Sequence, residues 1–523
     1  MQKKPLLRKG LAVGIIVSFF GISVMPGICQ EIRNMNDGKK SEYNENNSSK
    51  RSSLYSPPEE EWNKTFGGSQ DDIAYSVQQT QDGGYILTGR TTLYAGGYPD
   101  LWVVKTDENG LEQWNHSFGR TEHYDDGCSV VQTSDHGYMI LGNTLSYTHF
   151  QGWLIKTDNG GNEQWNKTLG GTLGTQAFSF QQTTDNGFII TGAIHNIDNS
   201  EDVWVIKTDS NGNKQWNKAF NRSRMDEGFS VVQTKDDGYI IVGRTQNEEP
   251  IDADVWLIKI NKCGNEQWSK TFGGPKYDYG HSVRQTYDGG YIITGSTDSF
   301  GSGGALSSDV WLVKTDAAGN EQWNTTFGST YDNDGGESVI QLSDGGYIIS
   351  GYTHSYGGGW SDVWIIKTNS HGIEQWNKTI GGVFWEDGPS VQQTTDGGFI
   401  IAGHTNSYGN GDDDFWLIKI AAEGETPNLE INLFGGIGVN ADIKNNGTAD
   451  AIGVIWQLHV KGGILGLIHR NANGAIDISK GESRWVSTGL FLGLGPFTII
   501  ATANDKEKTA TGIILLFYVI VVP

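Results

Sequence analysis

The chain has 523 residues, is 36% hydrophobic and 11% aromatic, contains 73 glycines and carries a formal charge of −23. This length holds one large repeat domain and a small one, and so much glycine favours tight turns over long helices. A chain this negative is repelled by nucleic acid and by anionic membrane surfaces, so neither is an expected partner.

Residues 1–29 read as an export signal or N-terminal anchor. Lys3, Lys4, Arg8 and Lys9 precede an apolar run, Leu11 to Val24, that is short for a membrane span. Membrane contact is expected only through this segment, if it is left uncleaved. The protein is expected to be secreted or displayed at the cell surface. Beyond Cys29 only Cys128 and Cys263 remain, so no disulfide framework is available. Residues 30–58, rich in Asn, Ser, Lys and Glu and ending in Pro57-Pro58, form a polar spacer.

From Trp62 a unit recurs, with marker tryptophans at 62, 114, 165, 216, 268, 323 and 376. A period of this size built from short strands signals a propeller rather than a helical solenoid. Each unit reads as four strands. The first is of SVQQT type, as at Ser76–Thr80. A DGG turn leads to a GYIITG strand, as at Gly290–Gly295. The third strand is apolar on both faces, as at Asp362–Thr368, and the fourth is of EQWNKTFGG type, as at Glu374–Gly382. One fourth-type strand, Trp62–Gly68, precedes every other strand, and the last set, ending at Ile420, has none after it. Pairing the two ends closes the ring and removes its exposed edges. The expected fold is all-β: a seven-bladed β-propeller over 59–424, its last blade closed by the N-terminal strand.

The motif T-x-D-G-G-Y-I-x-x-G, followed by D-x-W-x-x-K-T-D and G-x-x-x-W, runs from Thr286 to Trp323. It resembles the β-propeller repeat of secreted bacterial and archaeal surface proteins, a relative of kelch-type blades. The resemblance implies a fold and leaves function open. The Asp107, Gly110, Trp114 hairpin also resembles the tryptophan-docking element of quinoprotein dehydrogenases. The adjacent cysteine pair of those enzymes is absent, so no quinone cofactor is expected.

Residues 425–523 alternate apolar runs with Gly and Asn turns: Leu429–Phe434, Val439–Lys444, Gly453–Val460, Trp485–Ser487, Thr498–Ala503 and Gly512–Val522. Asn445-Asn446-Gly447 and Asn473-Gly474 read as hairpin turns. The segment resembles the Ig-like or CARDB-like modules of surface proteins, which implies an Ig-like β-sandwich.

Repeats vary most in the loops of one rim, where a specific site would be built. Tyr94, Tyr147, Phe300, Tyr356 and Tyr408 occupy equivalent positions there, with Trp360 nearby. Aromatic faces beside carboxylates suit sugar rings; the same rings also serve to plug their own loops. Asp332, Asp334, Asp252 and Asp254 are the candidate metal ligands, for calcium, which takes six to eight oxygens. No other cofactor is expected. The aspartate that opens the third strand recurs in six units, which favours a structural hydrogen bond over a catalytic acid. Asn63, Asn115, Asn166, Asn221, Asn324, Asn377 and Asn446 stand in N-x-S/T sequons and are candidate glycosylation sites. No zinc spacing and no nucleophile elbow occurs. The expected function is a surface binding or adhesion module that recognises a glycan or a surface protein. The alternatives are a secreted polysaccharide hydrolase or lyase using rim carboxylates, and a structural envelope component.

Overall fold

A computed structural model describes residues 57–92, 97–119, 123–146, 149–171, 174–247, 252–301, 307–330, 332–424, 429–445, 451–464, 467–479, 482–490, 492–503, 506–516 and 518–522. The proposed export segment, nearly all of the spacer, Tyr94, Tyr147 and Asn446 lie outside the described residues. The chain divides into two compact units, ending and beginning at Ala421 and Ala422. The described residues are all-β, with no α-helix.

The first unit is made of propeller-like repeats, each a four-stranded antiparallel set. The inner strands are Asp72–Gln79, Asp125–Gln132, Thr175–Gln182, Met225–Gln233, Asp278–Gln285, Asp334–Gln341 and Glu386–Gln393. A single parallel bridge, Glu201 to Met225, joins the third and fourth sets into one larger sheet. Each inner strand starts about four residues before the SVQQT run. The start Asp72-Ile73-Ala74-Tyr75 pairs in register up to a bulge between Ala74 and Ser76. The bulge interrupts the period-two alternation and the residues before it differ from set to set, so sequence reading begins these strands late.

The SVQQT residues hold neighbouring sets together. Ser76 Oγ accepts the amide of Val130 at 3.4 Å, and Gln78 Oε1 accepts that of Gln132 at 2.5 Å. The same bonds run from the last set to the first: Val77 N donates to Ser390 Oγ and Gln79 N to Gln392 Oε1, at 3.3 and 2.6 Å. Inner strands touch in succession, and Glu386–Gln393 lies against Asp72–Gln79. Between these end sets Phe66, Ala74, Leu87 and Trp102 pack on Ala402, Phe415 and Leu417.

The N-terminal strand, Glu60–Phe66, pairs antiparallel with Asp414–Ile420, aligning Phe66 with Phe415 and Glu60 with Ile420. Trp416 Nε1 donates to Asn63 Oδ1 at 3.2 Å. Equivalent bonds tie Trp102 to Asn115, Trp153 to Asn166, Trp311 to Asn324 and Trp364 to Asn377. Each of these asparagines also donates to the glutamate three residues earlier. Where Ser269 replaces the asparagine, the buried Trp256 Nε1 has no hydrogen bond.

Two further motifs acquire a cause. The DGG aspartate accepts the hydroxyl two residues before it, the Gly amide two after it, and a buried lysine from the third strand, as Asp185 does from Thr183, Gly187 and Lys207. Against the upward push of burial, these donors hold its carboxyl at about 2. The D-x-x-G glycine takes a positive φ (+71° at Gly212) and lies on the marker tryptophan of the preceding set, where a Cβ would meet Trp165 at 2.7 Å. The marker rings continue onto the next set's tyrosine, as Trp62 does onto Tyr85 at 5.9 Å and Trp114 onto Tyr138 at 5.6 Å.

The second unit has two sheets. Leu429–Phe434, Asn440–Asn445 and Ser483–Ser487 form one; Gly436–Ile437, Tyr518–Val522, Lys506–Leu516, Gly493–Ala503, Ala451–Gly462 and Ile468–Ile478 form the other. Ile431, Ala441 and Ile443 of the first pack on Val454, Leu458, Ile478 and Ala501 of the second. Two expectations change. Asn473-Gly474 is not a turn but mid-strand, opposite Gln457 and Trp456, and Gly474 is small because the Trp456 indole lies 3.0 Å from where its Cβ would be. The last apolar run is not one strand but the end of Lys506–Leu516 and the separate strand Tyr518–Val522, which fold back on each other.

Candidate functional site

At the start of most inner strands an acid staples the loops beside it; in the third set Thr175 stands there instead. Asp334 accepts the Thr353 hydroxyl at 2.5 Å and the Ser355 hydroxyl at 2.6 Å. Asp226 accepts Arg222 N, Ser223 N and Ser223 Oγ, and Glu386 accepts Gly382 N, Thr405 Oγ1 and Ser407 N. Asp334 therefore spends both oxygens on its own loop, while Asp332 is exposed. Asp252 stands 3.4 Å from Asn247 Nδ2, and Asp254 is raised by burial and by Asp278 and Asp252. Among the described residues no group of three or more His, Cys, Asp or Glu is arranged to hold a metal ion.

The third-strand aspartates hold loops. Asp362 accepts Gly359 N and Asp414 accepts Asn410 N. Glycines following the fourth strands lie on these carboxylates, so a Cβ at Gly67 would overlap Asp414 and one at Gly381 would overlap Asp362.

The aromatic positions separate into two kinds. Phe300, Tyr356 and Tyr408 each lean on the tryptophan of their own third strand: Trp311 at 5.2 Å, Trp364 at 5.2 Å and Trp416 at 5.6 Å. Tyr356 Oη donates to Gly328 O and Tyr408 Oη to Gly381 O, both at 3.0 Å. They plug and tether loops. Trp360 differs: it is 56% exposed and meets Phe384 at 5.9 Å and Trp385 at 6.0 Å, both edge-on. Trp385 meets His354 at 5.1 Å, and His354 meets Tyr352 at 5.4 Å. Trp360 N and Ser361 N both donate to Phe384 O, which fixes one loop on the other. Phe384 and Trp385, 42% and 41% exposed, belong to this platform and were not among the sequence candidates. They follow a strand end in one unit only, and that lack of repetition was the available signal.

Tyr352 lies opposite Gly335 on the inner strand of its set. Positions here differ from set to set, whereas the SVQQT, DGG and third-strand motifs recur. In inner strands they carry Asp126, Cys128, Phe178, Glu227, Phe229, Tyr279, His281, Glu337 and Asp387; on the facing strands Arg90, Asn143, Arg244 and His404. One sector is apolar, with Phe178 at 5.5 Å from Phe229. The next is acidic: His281 Nδ1 stands 3.3 Å from Glu337 Oε1, and Arg244 pairs with Glu227 at 2.5 Å. Neither oxygen of Glu337, nor Asp387 Oδ1, nor His404 Nδ1 makes a hydrogen bond, though all are buried. Burial and the neighbouring Glu337 push the Asp387 carboxyl up to about 8, and burial pushes His404 down. Buried groups left without partners are costly and rare, and they concentrate where a ligand supplies the missing bonds.

The described sequon asparagines are exposed, and Asn221 donates to Asp202 at 2.8 Å.

No protein-family model and no curated protein matches the chain. Among solved structures, a protein of unknown function from Dyadobacter fermentans aligns over 69% of this chain and 99% of its own, at 13% identity and a TM-score of 0.41. Puromycin hydrolase aligns over 72% of this chain and 59% of its own, at 10% identity and TM-score 0.45. The β-propeller domain of the trilobed protease from Pyrococcus furiosus aligns over 65% and 93%, at 10% identity and TM-score 0.28. At these scores the likenesses carry no conclusion about activity.

Proposed function

We propose that the first unit is a seven-bladed propeller closed by its N-terminal strand, followed by an Ig-like sandwich, and that it works outside the cell as a glycan-binding module. The observation that carries the reading is the run of rings Tyr352, His354, Trp385, Trp360 and Phe384, which ends in three exposed aromatics on loops fixed to each other. Sugar rings offer C–H faces to the aromatics and hydroxyl donors to the acids. The loops are joined by backbone bonds, so little ordering cost falls on binding. The test is a glycan array probed with the exported chain, beside Trp385→Ala and Trp360→Ala. Binding should weaken at least about tenfold in each variant. Equal binding by the parent and both variants overturns this placement, and binding to a surface protein alone overturns the glycan.

A second reading, a polysaccharide hydrolase, is favoured by one feature, the proton held on Asp387 beside Glu337. It requires cleavage of a bound polysaccharide that Asp387→Asn abolishes.

A further inference from the structure

One end of the second unit bears large aliphatic side chains on two neighbouring loops. Ile464 and Leu467 lie between the strands Ala451–Gly462 and Ile468–Ile478; Leu490 and Leu492 precede or lead into Gly493–Ala503, and Leu494 lies at its start. Their exposures run from 48% at Leu494 to 79% at Leu467. The loops are held side by side: Gly463 N donates to Pro496 O at 2.6 Å, and a Cβ on Gly495 would stand 3.0 Å from Ile464 N. No charged residue occurs between Lys461 and His469, nor from Trp485 to Asn504. Water-facing loops ordinarily carry polar residues; exposing five large aliphatics in one place marks an interaction surface.

Directly behind this apolar end the character changes. Gly462 pairs with Ile468, and the next rungs are Lys461 with His469 and Val460 with Arg470. Lys461, His469 and Arg470 are exposed. Arg470 Nε and Nη2 both reach Thr488 O at 3.2 Å, which places its guanidinium at the base of the second loop. An aromatic pair, Phe434 and Trp485 at 5.0 Å, is exposed on the other sheet. The chain's negative charge resides elsewhere, since from Ala422 onward seven Lys and Arg face nine Asp and Glu.

We propose that this end of the second unit inserts peripherally into a lipid bilayer. The aliphatic side chains enter the acyl boundary, and Lys461, His469 and Arg470 remain among anionic headgroups. The order apolar end, then cations, matches the order of layers in a membrane surface, whereas a protein partner would have no need of it. Among the described residues no helix is long and apolar enough to cross a membrane, so the contact is one of loops. It departs from the expectation that only an N-terminal anchor meets lipid, and it stands independently of the glycan reading.

The test is flotation of the exported chain with vesicles of phosphatidylcholine, alone or mixed equally with phosphatidylglycerol. The parent should float with the mixed vesicles, and Leu467→Glu with Leu492→Glu should lose about tenfold or more in vesicle affinity. Lys461→Gln should lose roughly fivefold on the mixed vesicles only. Because Leu467 and Leu492 are 79% and 74% exposed, the variants keep the core; an unchanged melting curve verifies this, and Leu467→Ser with Leu492→Ser serves if the charged pair misfolds. Equal flotation of parent and variants, or none by the parent on either vesicle, overturns the proposal. So does a dimer in sedimentation that the leucine variants dissociate, which would make a second copy the occupant.

Discussion

At the residue scale, the repeat separates side chains that build from those left over. Ser76, Gln78, Asp185, Lys207 and Gly212 each have a stated partner, and their counterparts recur. Asp387 differs from the acids at the equivalent positions, Asp126 and Glu227: these face Asn143 and Arg244, whereas Asp387 faces His404 and its Oδ1 makes no hydrogen bond. Asp387 supplies a pH test. Its folded value of about 8 exceeds the unfolded value of about 4, so the native state keeps a proton that the unfolded chain has lost. Stability is fully present below about pH 4 and falls as pH rises toward 8. Asparagine mimics the neutral acid, so Asp387→Asn should match the parent near pH 4 and exceed it by about 2 kcal/mol or more at pH 8. Urea unfolding at both values checks this; a gap that does not change with pH refutes the buried protonated acid.

At the element scale, neighbouring sets are locked twice: by the Ser and Gln staples between first strands and by tryptophan against glycine at the fourth strands. Gly212→Ala adds a Cβ at φ +71°, 2.7 Å from Trp165. The left-handed backbone and the overpacking together should cost about 2–3 kcal/mol. Gly171→Ala, with nothing within 4 Å, is the matched control and should leave the melting temperature nearly unchanged. A similar small effect in both would refute docking through this contact.

At the scale of the whole molecule, the first and last sets meet through Phe66, Phe415, Trp416 and Asn63. Removing Glu60–Phe66 exposes the edge of Asp414–Ile420 and uncovers Phe415, which packs on Trp102 at 4.6 Å. The truncated chain should lose cooperative unfolding of the first unit and gain a tendency to associate, and a peptide spanning 59–68 should restore the transition. A melting curve unchanged by the deletion would refute closure through this strand.

The strand pattern was legible from sequence because repetition amplifies local signals: turn glycines, alternating apolar residues and the spacing of tryptophans are read seven times over. The pairing of Trp62–Gly68 with the last set followed from counting strands, and the register then aligned Phe66 with Phe415. Tyr356 and Tyr408 were legible as rim residues, but not that their hydroxyls are committed to Gly328 and Gly381. The Trp360, Phe384 and Trp385 platform joins loops about 25 residues apart, and the Glu337 and Asp387 pair joins two inner strands. Neither leaves a local pattern, because both arise from contacts between sets rather than within one. Sequence determined the repeated strands of the first unit, since each is specified by its own residues and turns. Tertiary structure alone decided which unrepeated side chains meet, since that depends on how neighbouring sets pack side by side.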